Sequence, residues 1–207
     1  MILDLHCHTK FSPDSWSEPQ ALIRRAKELG IDGIGLTEHY SYRASEGVEK
    51  LAEKEEFLVL RGVEVSTDRG HLLVYGVKND KWNCWSQDHY LRVEEVIARI
   101  NDMGGIAIPA HPYRGMEFTS FGDAIFHLEG ITAVETHNGN NSWDEDALAQ
   151  RAAKIMKLPT IGGSDCHEKR NLGRCITEFQ NSINTIDDLI KEIREGRCWG
   201  KYFNSYR

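Results

Sequence analysis

Several things are missing from this 207-residue chain, and each absence narrows the reading. No apolar run approaches the ~20 residues a membrane-spanning helix needs, and no charged-then-apolar leader precedes the first apolar segment. Without such a span or leader the cytoplasm is the expected compartment, and the five cysteines, an odd number without a close-spaced Cys-x-x-Cys pair, argue against a disulfide framework. Excess positive charge is also absent. A formal net charge of −7 disfavours broad wrapping of a polynucleotide, leaving small phosphorylated molecules or the end of a nucleic acid strand as partners. There is no internal repeat, low-complexity tract or linker, so residues 1–207 are expected to form a single domain.

What is present is a near-strict alternation of strand and helix patterns. Ile2-Leu3-Asp4-Leu5 reads as a buried strand. A capping-box pattern at Ser17-Glu18-Pro19-Gln20 opens a helix that Gly30 closes. Strand 33–37, a charged helix over 44–55, strands 57–60 and 63–66, and a strand from His71 to Gly76 follow. Beyond an irregular stretch with Trp82 and Trp85 come helix 88–103, strand 106–108, a short helix, and strand 131–135. Helix 144–157, strand 159–162, a strand near 175–177, helix 185–195 and a closing segment over 197–203 complete the chain. Such alternation implies an α/β protein with a parallel sheet, closed or nearly closed. A full eight-fold barrel usually takes about 250 residues, so a compact or seven-fold version fits better.

Side chains on a strand alternate faces, so His6 and His8 point one way and Cys7 the other. His39, Glu64, His111, Glu135, Asp165 and His167 also fall at expected strand ends, where barrel enzymes keep their chemistry. With Asp14 and His71 the candidate ligands are His6, His8, Asp14, His39, Glu64, His71, His111, Asp165 and His167. These nitrogen and oxygen donors are too many for one ion and suit two or three, with Mn, Fe or Zn favoured by mixed imidazole and carboxylate ligation.

The segments Asp4-Leu5-His6-Cys7-His8, Thr37-Glu38-His39, Gly62-Val63-Glu64-Val65, Ala110-His111-Pro112 and Ser164-Asp165-Cys166-His167 together resemble, in order, the signature of the PHP (polymerase and histidinol phosphatase) family. That resemblance implies a distorted seven-stranded (β/α)7 TIM-like barrel, with a trinuclear metal site at the C-terminal ends of the strands and hydrolysis of phosphate esters. It places one metal on His6, His8, Glu64 and Asp165, a second on Asp14, His39 and His167, and a third on Glu64, His71 and His111. Two departures stand out. Glu38 occupies a position where the family often has Asp, and is expected to support the ligands with a longer arm. Ser12-Pro13-Asp14 shifts the carboxylate by one residue relative to the usual Ser-Asp-Gly.

The expected chemistry is hydrolysis of a small phosphate monoester of a nucleotide, a sugar or histidinol, by water that the metals activate. Arg114 is the expected phosphate-binding cation because guanidinium can hold two phosphate oxygens, with Lys169 and Arg170 behind it. His137, expected to share a face with Glu135, is a candidate general acid. Cys7 and Cys166 are expected to be packed thiols, and His89 and His127 structural or exposed. Trp82 and Trp85 would cover the barrel or stack a base. Alternative readings are a phosphodiesterase or exonuclease using the same site, an amidohydrolase, and a metal-binding regulatory module without turnover.

Overall fold

The computed structural model describes residues 1–83, 91–115 and 119–203. Trp85, Cys84 and His89, on which expectations fell, lie outside the described residues.

The strands are β1 (Ile2–Cys7), β2 (Gly33–Leu36), β3 (Leu58–Ser66), β4 (His71–Tyr75), β5 (Ile106–Pro109), β6 (Val134–Asn138), β7 (Thr160–Gly163), β8 (Cys175–Phe179) and β9 (Cys198–Tyr202). The helices are α1 (Pro19–Leu29), α2 (Val48–Lys54), α3 (Val93–Asp102), α4 (Trp143–Met156) and α5 (Ile186–Arg194). The two strands expected over 57–66 are one continuous β3. The strand expected to start at Ile131 begins at Val134, and the charged helix expected over 44–55 is split into a 3-10 turn at Tyr42–Ser45 and α2 by Gly47 at φ 91°.

Pro19 and Gly30 bound α1 as expected, but Ser17 does not cap it. The N-cap is Glu18, and the Ser17 hydroxyl instead donates to the His167 carbonyl at 3.3 Å. True capping boxes sit elsewhere, at Ser142 and Glu145 on α4 and at Thr185 and Asp188 on α5.

The main sheet is mixed rather than parallel, a correction to the sequence reading. Its order is β5-β4-β3-β2-β1-β8-β9. The β1–β2 and β2–β3 pairs are parallel, whereas β4 runs against both β3 and β5, and the antiparallel β8–β9 pair, joined through α5, adds antiparallel to β1 through β8. The reason is the connection length. Only Thr67 to Gly70 separate β3 from β4, too few for a parallel crossover. β6 and β7 form a separate parallel pair. The sheet curls so that this pair meets it on both sides. Thr132 N–H donates to Ala107 O of β5, and Cys7 at the end of β1 forms a parallel bridge with Cys166 beyond β7.

The concave face is filled by Leu3 and Leu5 of β1, Leu73 and Tyr75 of β4, Ile106 and Ile108 of β5, and Ile161 of β7. Leu189 and Ile193 of α5 join this cluster, and Arg194 donates to the carbonyls of Gly104 and Gly105 just before β5. Helix α5 therefore closes the end where the parallel strands begin. Fully burying each such side chain is worth about 1.5–3 kcal/mol, which leaves the opposite end free to carry polar groups. Cys7 and Cys166 pack in the outer layer with Leu22, Ile23 and Ala26 of α1, although Leu3 and Leu5 face inward, because the register of β1 against β2 shifts between Asp4 and Cys7. Trp82 is buried against Val93, Val96 and their neighbours, so it covers core.

Candidate metal centre

At the C-terminal end of β1, His6 and His8 point inward side by side, their ring centroids 5.1 Å apart. Gly163 at the end of β7 has to be glycine, because any side chain there would overlap the His6 Cβ. Glu64, 1% exposed, reaches the centre from β3. Its Oε2 lies 3.3 Å from His6 Nε2, 3.2 Å from His8 Nε2 and 3.3 Å from His39 Nδ1. Its Oε1 lies 2.9 Å from His71 Nδ1 and 3.0 Å from His111 Nε2. One carboxylate thus faces five imidazoles. Asp165 Oδ1 sits 3.4 Å from both His6 Nε2 and His8 Nε2. Asp14 Oδ2 lies 3.2 Å from His39 Nε2 and 3.1 Å from His167 Nε2, so the one-residue shift in its loop does not remove it from the cluster. All nine candidate ligands converge.

The surroundings fix which nitrogen of each ring faces inward. His6 Nδ1 lies 2.9 Å from the Glu135 carboxylate, an acceptor, so that nitrogen carries a proton and Nε2 is the one turned to the centre. Ser12 gives its only hydroxyl proton to Glu38 at 2.5 Å, so at its 3.3 Å contact with His8 it must accept from Nδ1–H. His167 Nδ1 faces its neighbour's carbonyl, Asp165 O, at 3.1 Å. In all three rings Nε2 is the nitrogen turned toward carboxylate oxygens. His6 Nε2, His8 Nε2, His39 Nδ1 and His111 Nδ1 are buried without a hydrogen-bond partner. Carboxylates this close to the inward nitrogens of His6, His8 and His39 call for positive charge between them, a proton or a metal ion, and the donor set fits divalent ions. The ligand atoms fall into three groups, each within 4.8 Å of one another: His6, His8, Glu64 and Asp165; Glu64, His71 and His111; and His8, His39 and His167. The last differs from expectation in drawing on His8, with Asp14 beside it.

The electrostatics agree. Burial alone would lower the His8 pKa, but Asp165 and Glu64 outweigh it and push it up to about 10. Burial would raise Glu64, yet the imidazoles around it hold it well below the carboxylate range. The site demands positive charge. His111 at φ 29° and Asp165 at φ 51° both hold left-handed backbone at strand ends, strain of a kind that collects at functional sites.

The supporting layer was only partly foreseen. Glu38 supports the ligands as expected: its carboxylate takes the Thr9 amide at 3.1 Å and both the Thr9 and Ser12 hydroxyls at 2.5 Å. Asp4, two residues before His6, accepts from the amides of His6, Ser164 and Gly173, tying β1 to the loops after β7. Glu135 holds His6 and also the His111 amide at 2.7 Å.

The structure does not bring His137 to the cluster. The register of β6 against β7 shifts between Glu135 and His137, so the two do not share a face. His137 packs edge-on to Tyr202 at 4.8 Å, with Thr136 and Gln150 on its nitrogens. Burial lowers its pKa to about 4, which leaves it neutral near pH 7 and unfit as a general acid.

Arg114 is beside the cluster but bound into the protein. Its Nη2 donates to Asp165 Oδ2 at 2.6 Å and Asn138 Oδ1 at 2.7 Å, and its Nε donates to Asn141 at 3.0 Å. Lys169 and Arg170 lie off the cluster, lining a cavity of about 520 Å³ with Arg24, Arg25 and Glu28.

Asn138, Asn141 and Asp146 escaped the sequence reading. Asp146 on α4 accepts from Tyr202 Oη at 2.6 Å, from Asn141 Nδ2 at 2.9 Å and from the Asn138 amide at 3.3 Å. Burial pushes its pKa from 3.8 up to about 6. The folded state therefore binds this proton more tightly than the unfolded chain does. Stability from this group is full below the unfolded value and is lost as pH rises through about 6. Asp146→Asn is expected to remove that loss, gaining on wild type by on the order of 2 kcal/mol between acid and neutral pH in urea melts. A pH-independent difference would contradict it.

Comparisons with known proteins agree with the geometry. A model of the PHP-associated family matches residues 144–198. An uncharacterised protein of Methanocaldococcus jannaschii is 32% identical over 169 residues, spanning 76% of this chain and 92% of its own. A probable histidinol-phosphatase of Thermotoga maritima is 23% identical over 221 residues, covering 90% of this chain and 93% of its own. Among solved structures, a two-domain Bacteroides vulgatus protein containing a predicted PHP-like metal-dependent phosphoesterase superposes with a TM-score of 0.77 at 18% identity, over 98% of this chain and 65% of that one. The chain belongs to the PHP family and is an enzyme of the metal-dependent phosphoesterase type.

Proposed function

We propose that the protein hydrolyses a small phosphate monoester at a three-metal centre held by the nine ligands named above. The single observation that carries this reading is Glu64, one buried carboxylate facing five imidazoles at 2.9–3.3 Å. We take β1 to β7 as the distorted seven-stranded barrel that frames the site. Cys7, Cys166, Cys175 and Cys198 are free and buried, which suits the cytoplasm.

Bound divalent ions would supply a nucleophilic water of lowered pKa and neutralise charge on the phosphoryl oxygens. The chain's own residues do the rest. Glu135, Ser12 and the Asp165 carbonyl hold protons on the Nδ1 atoms of His6, His8 and His167, so that each Nε2 would be the atom offered to a bound ion. Arg114 fixes the Asp165 carboxylate through Nη2. Among the described residues its Nη1 carries no hydrogen bond, and that edge is the one we assign to a phosphate oxygen. The open side is at His167 and Asp14, whose side chains are 29% and 51% exposed, and substrate enters there.

The test is phosphate release from nucleoside, sugar and histidinol monophosphates alongside an oligonucleotide, with Mn, Fe or Zn supplied. Metal-dependent turnover of monoesters is expected. Cleavage of the oligonucleotide alone would move the function to a diesterase, and full metal occupancy without turnover would leave a binding module.

A further inference from the structure

A cleft of about 370 Å³ opens beside the metal centre, at the same rim of the strands, and nothing in the hydrolytic machinery uses it. It is lined by Asn138, Gly139, Asn141, Trp143, Arg174 and Tyr202, with Cys175 and Phe203 completing the wall. Its volume lies in the range of small-molecule sites. The Asn138–Asn141 wall is shared. The same two amides that line the cleft accept from Arg114, which lies across them and holds Asp165. Asn140 ties the wall to the site a second time, donating to the Asp165 carbonyl at 2.7 Å. Gly139 lies so close to Ser164 that an added Cβ would fall 2.5 Å from its carbonyl.

The chemistry of the lining is selective. The Asn138 and Asn141 side chains are already committed, to Glu135, Arg114 and Asp146, so the wall offers few polar groups to a ligand. Two features remain. The Trp143 ring is 68% exposed, an uncommon state for so large an apolar surface, and it leans on Tyr202 with centroids 4.3 Å apart. Tyr202 is held in place by its bond to Asp146, so the pair forms a fixed aromatic wall. Arg174, exposed, lines the same cleft, with one N–H donated to Gly139 O at 3.3 Å. Aromatic faces with a guanidinium at the edge match a flat aromatic ring that carries hydrogen-bond acceptors.

We propose that this cleft is the subsite for the alcohol portion of the substrate, and that this portion carries a flat, acceptor-bearing aromatic ring such as a nucleobase. The inference rests on the phosphoesterase reading for its catalytic consequence, but binding of the ring stands apart from it. With the phosphate at the metal centre beside Arg114, the ring lies past Asn138 against Trp143 and Tyr202, and Arg174 donates to its edge.

Two measurements separate this proposal from the one before it. The first compares kcat/KM for adenosine monophosphate, phenyl phosphate and glycerol phosphate in the metal-loaded enzyme and in Trp143→Ala and Arg174→Ala. The ratio of the nucleotide to the aliphatic ester is expected to fall by about tenfold or more in each variant, mainly through KM. Phenyl phosphate is expected to follow the nucleotide in Trp143→Ala only, because it lacks ring acceptors for Arg174. Ratios unchanged in both variants overturn the subsite. The second titrates tryptophan fluorescence with adenosine, which has no phosphate and needs no metal. Saturable quenching that Trp143→Phe abolishes supports the subsite even if the enzyme cleaves no phosphoester, and absence of quenching in wild type contradicts it.

Discussion

Glu64→Gln is expected to lower kcat/KM by on the order of 10³-fold or more and to strip the protein of most of its metal. The substitution changes no volume and leaves β3 intact, so the loss does not come from a cavity. It comes from charge and lone pairs. The Glu64 carboxylate serves His6, His8 and His39 through one oxygen and His71 and His111 through the other. An amide keeps one acceptor, turns the other into a donor and carries no charge, so it cannot join two ligand groups. Thermal melts of the chelated proteins separate this from unfolding. Wild type and variant should melt closer together without metal than with it, because only wild type gains from binding ions in the native state. Full metal content and near-normal turnover in Glu64→Gln would remove Glu64 from the centre.

Arg114→Ala is expected to cost about 10²-fold in kcat, with Arg114→Lys recovering only part of it. The guanidinium makes three directional bonds at once, to Asp165, Asn138 and Asn141, a geometry an ammonium cannot copy. Without it Asp165, its side chain 3% exposed, keeps a charge near the ligands with one oxygen unpaired. The split between parameters is informative. A residue that only positions Asp165 lowers kcat and metal affinity together. One that also touches the phosphate raises KM for every phosphoester, and the account expects both. A rise in KM with kcat and metal content untouched would show that the bond to Asp165 is idle.

Much of this site could be read from the residues because strand geometry is simple. A period of two puts His6 and His8 on one face and Cys7 on the other, and the barrel rule turns scattered strand-end donors into one cluster. Seven of the nine candidate ligands depend on nothing subtler, whereas Asp14 lies in a loop and His71 opens β4. Expectations failed where a single local event intervened. A register shift inside β6 turned His137 away from Glu135, and no sequence signal marks that irregularity. The reversal of β4 was readable, since the few residues after Ser66 are too short for a crossover, yet the alternation pattern overrode it. Arg114 was placed correctly beside the centre, but its commitment to Asp165 and to two asparagines from another loop depends on through-space contacts that spacing does not encode. The Glu38–Ser12–His8 relay is similar. Position marked Glu38 as supporting, while the hydroxyl that sets the His8 tautomer is visible only in three dimensions.

The central claim is that the buried imidazoles and carboxylates exist to hold divalent ions. Elemental analysis of the purified protein, before and after chelation and reloading, tests it most directly. Two or three equivalents of Mn, Fe or Zn per chain, with phosphate release from monoesters lost on chelation and restored on reloading, is the result expected here. A protein that carries no metal, takes up none when it is supplied and melts at the same temperature either way would contradict it.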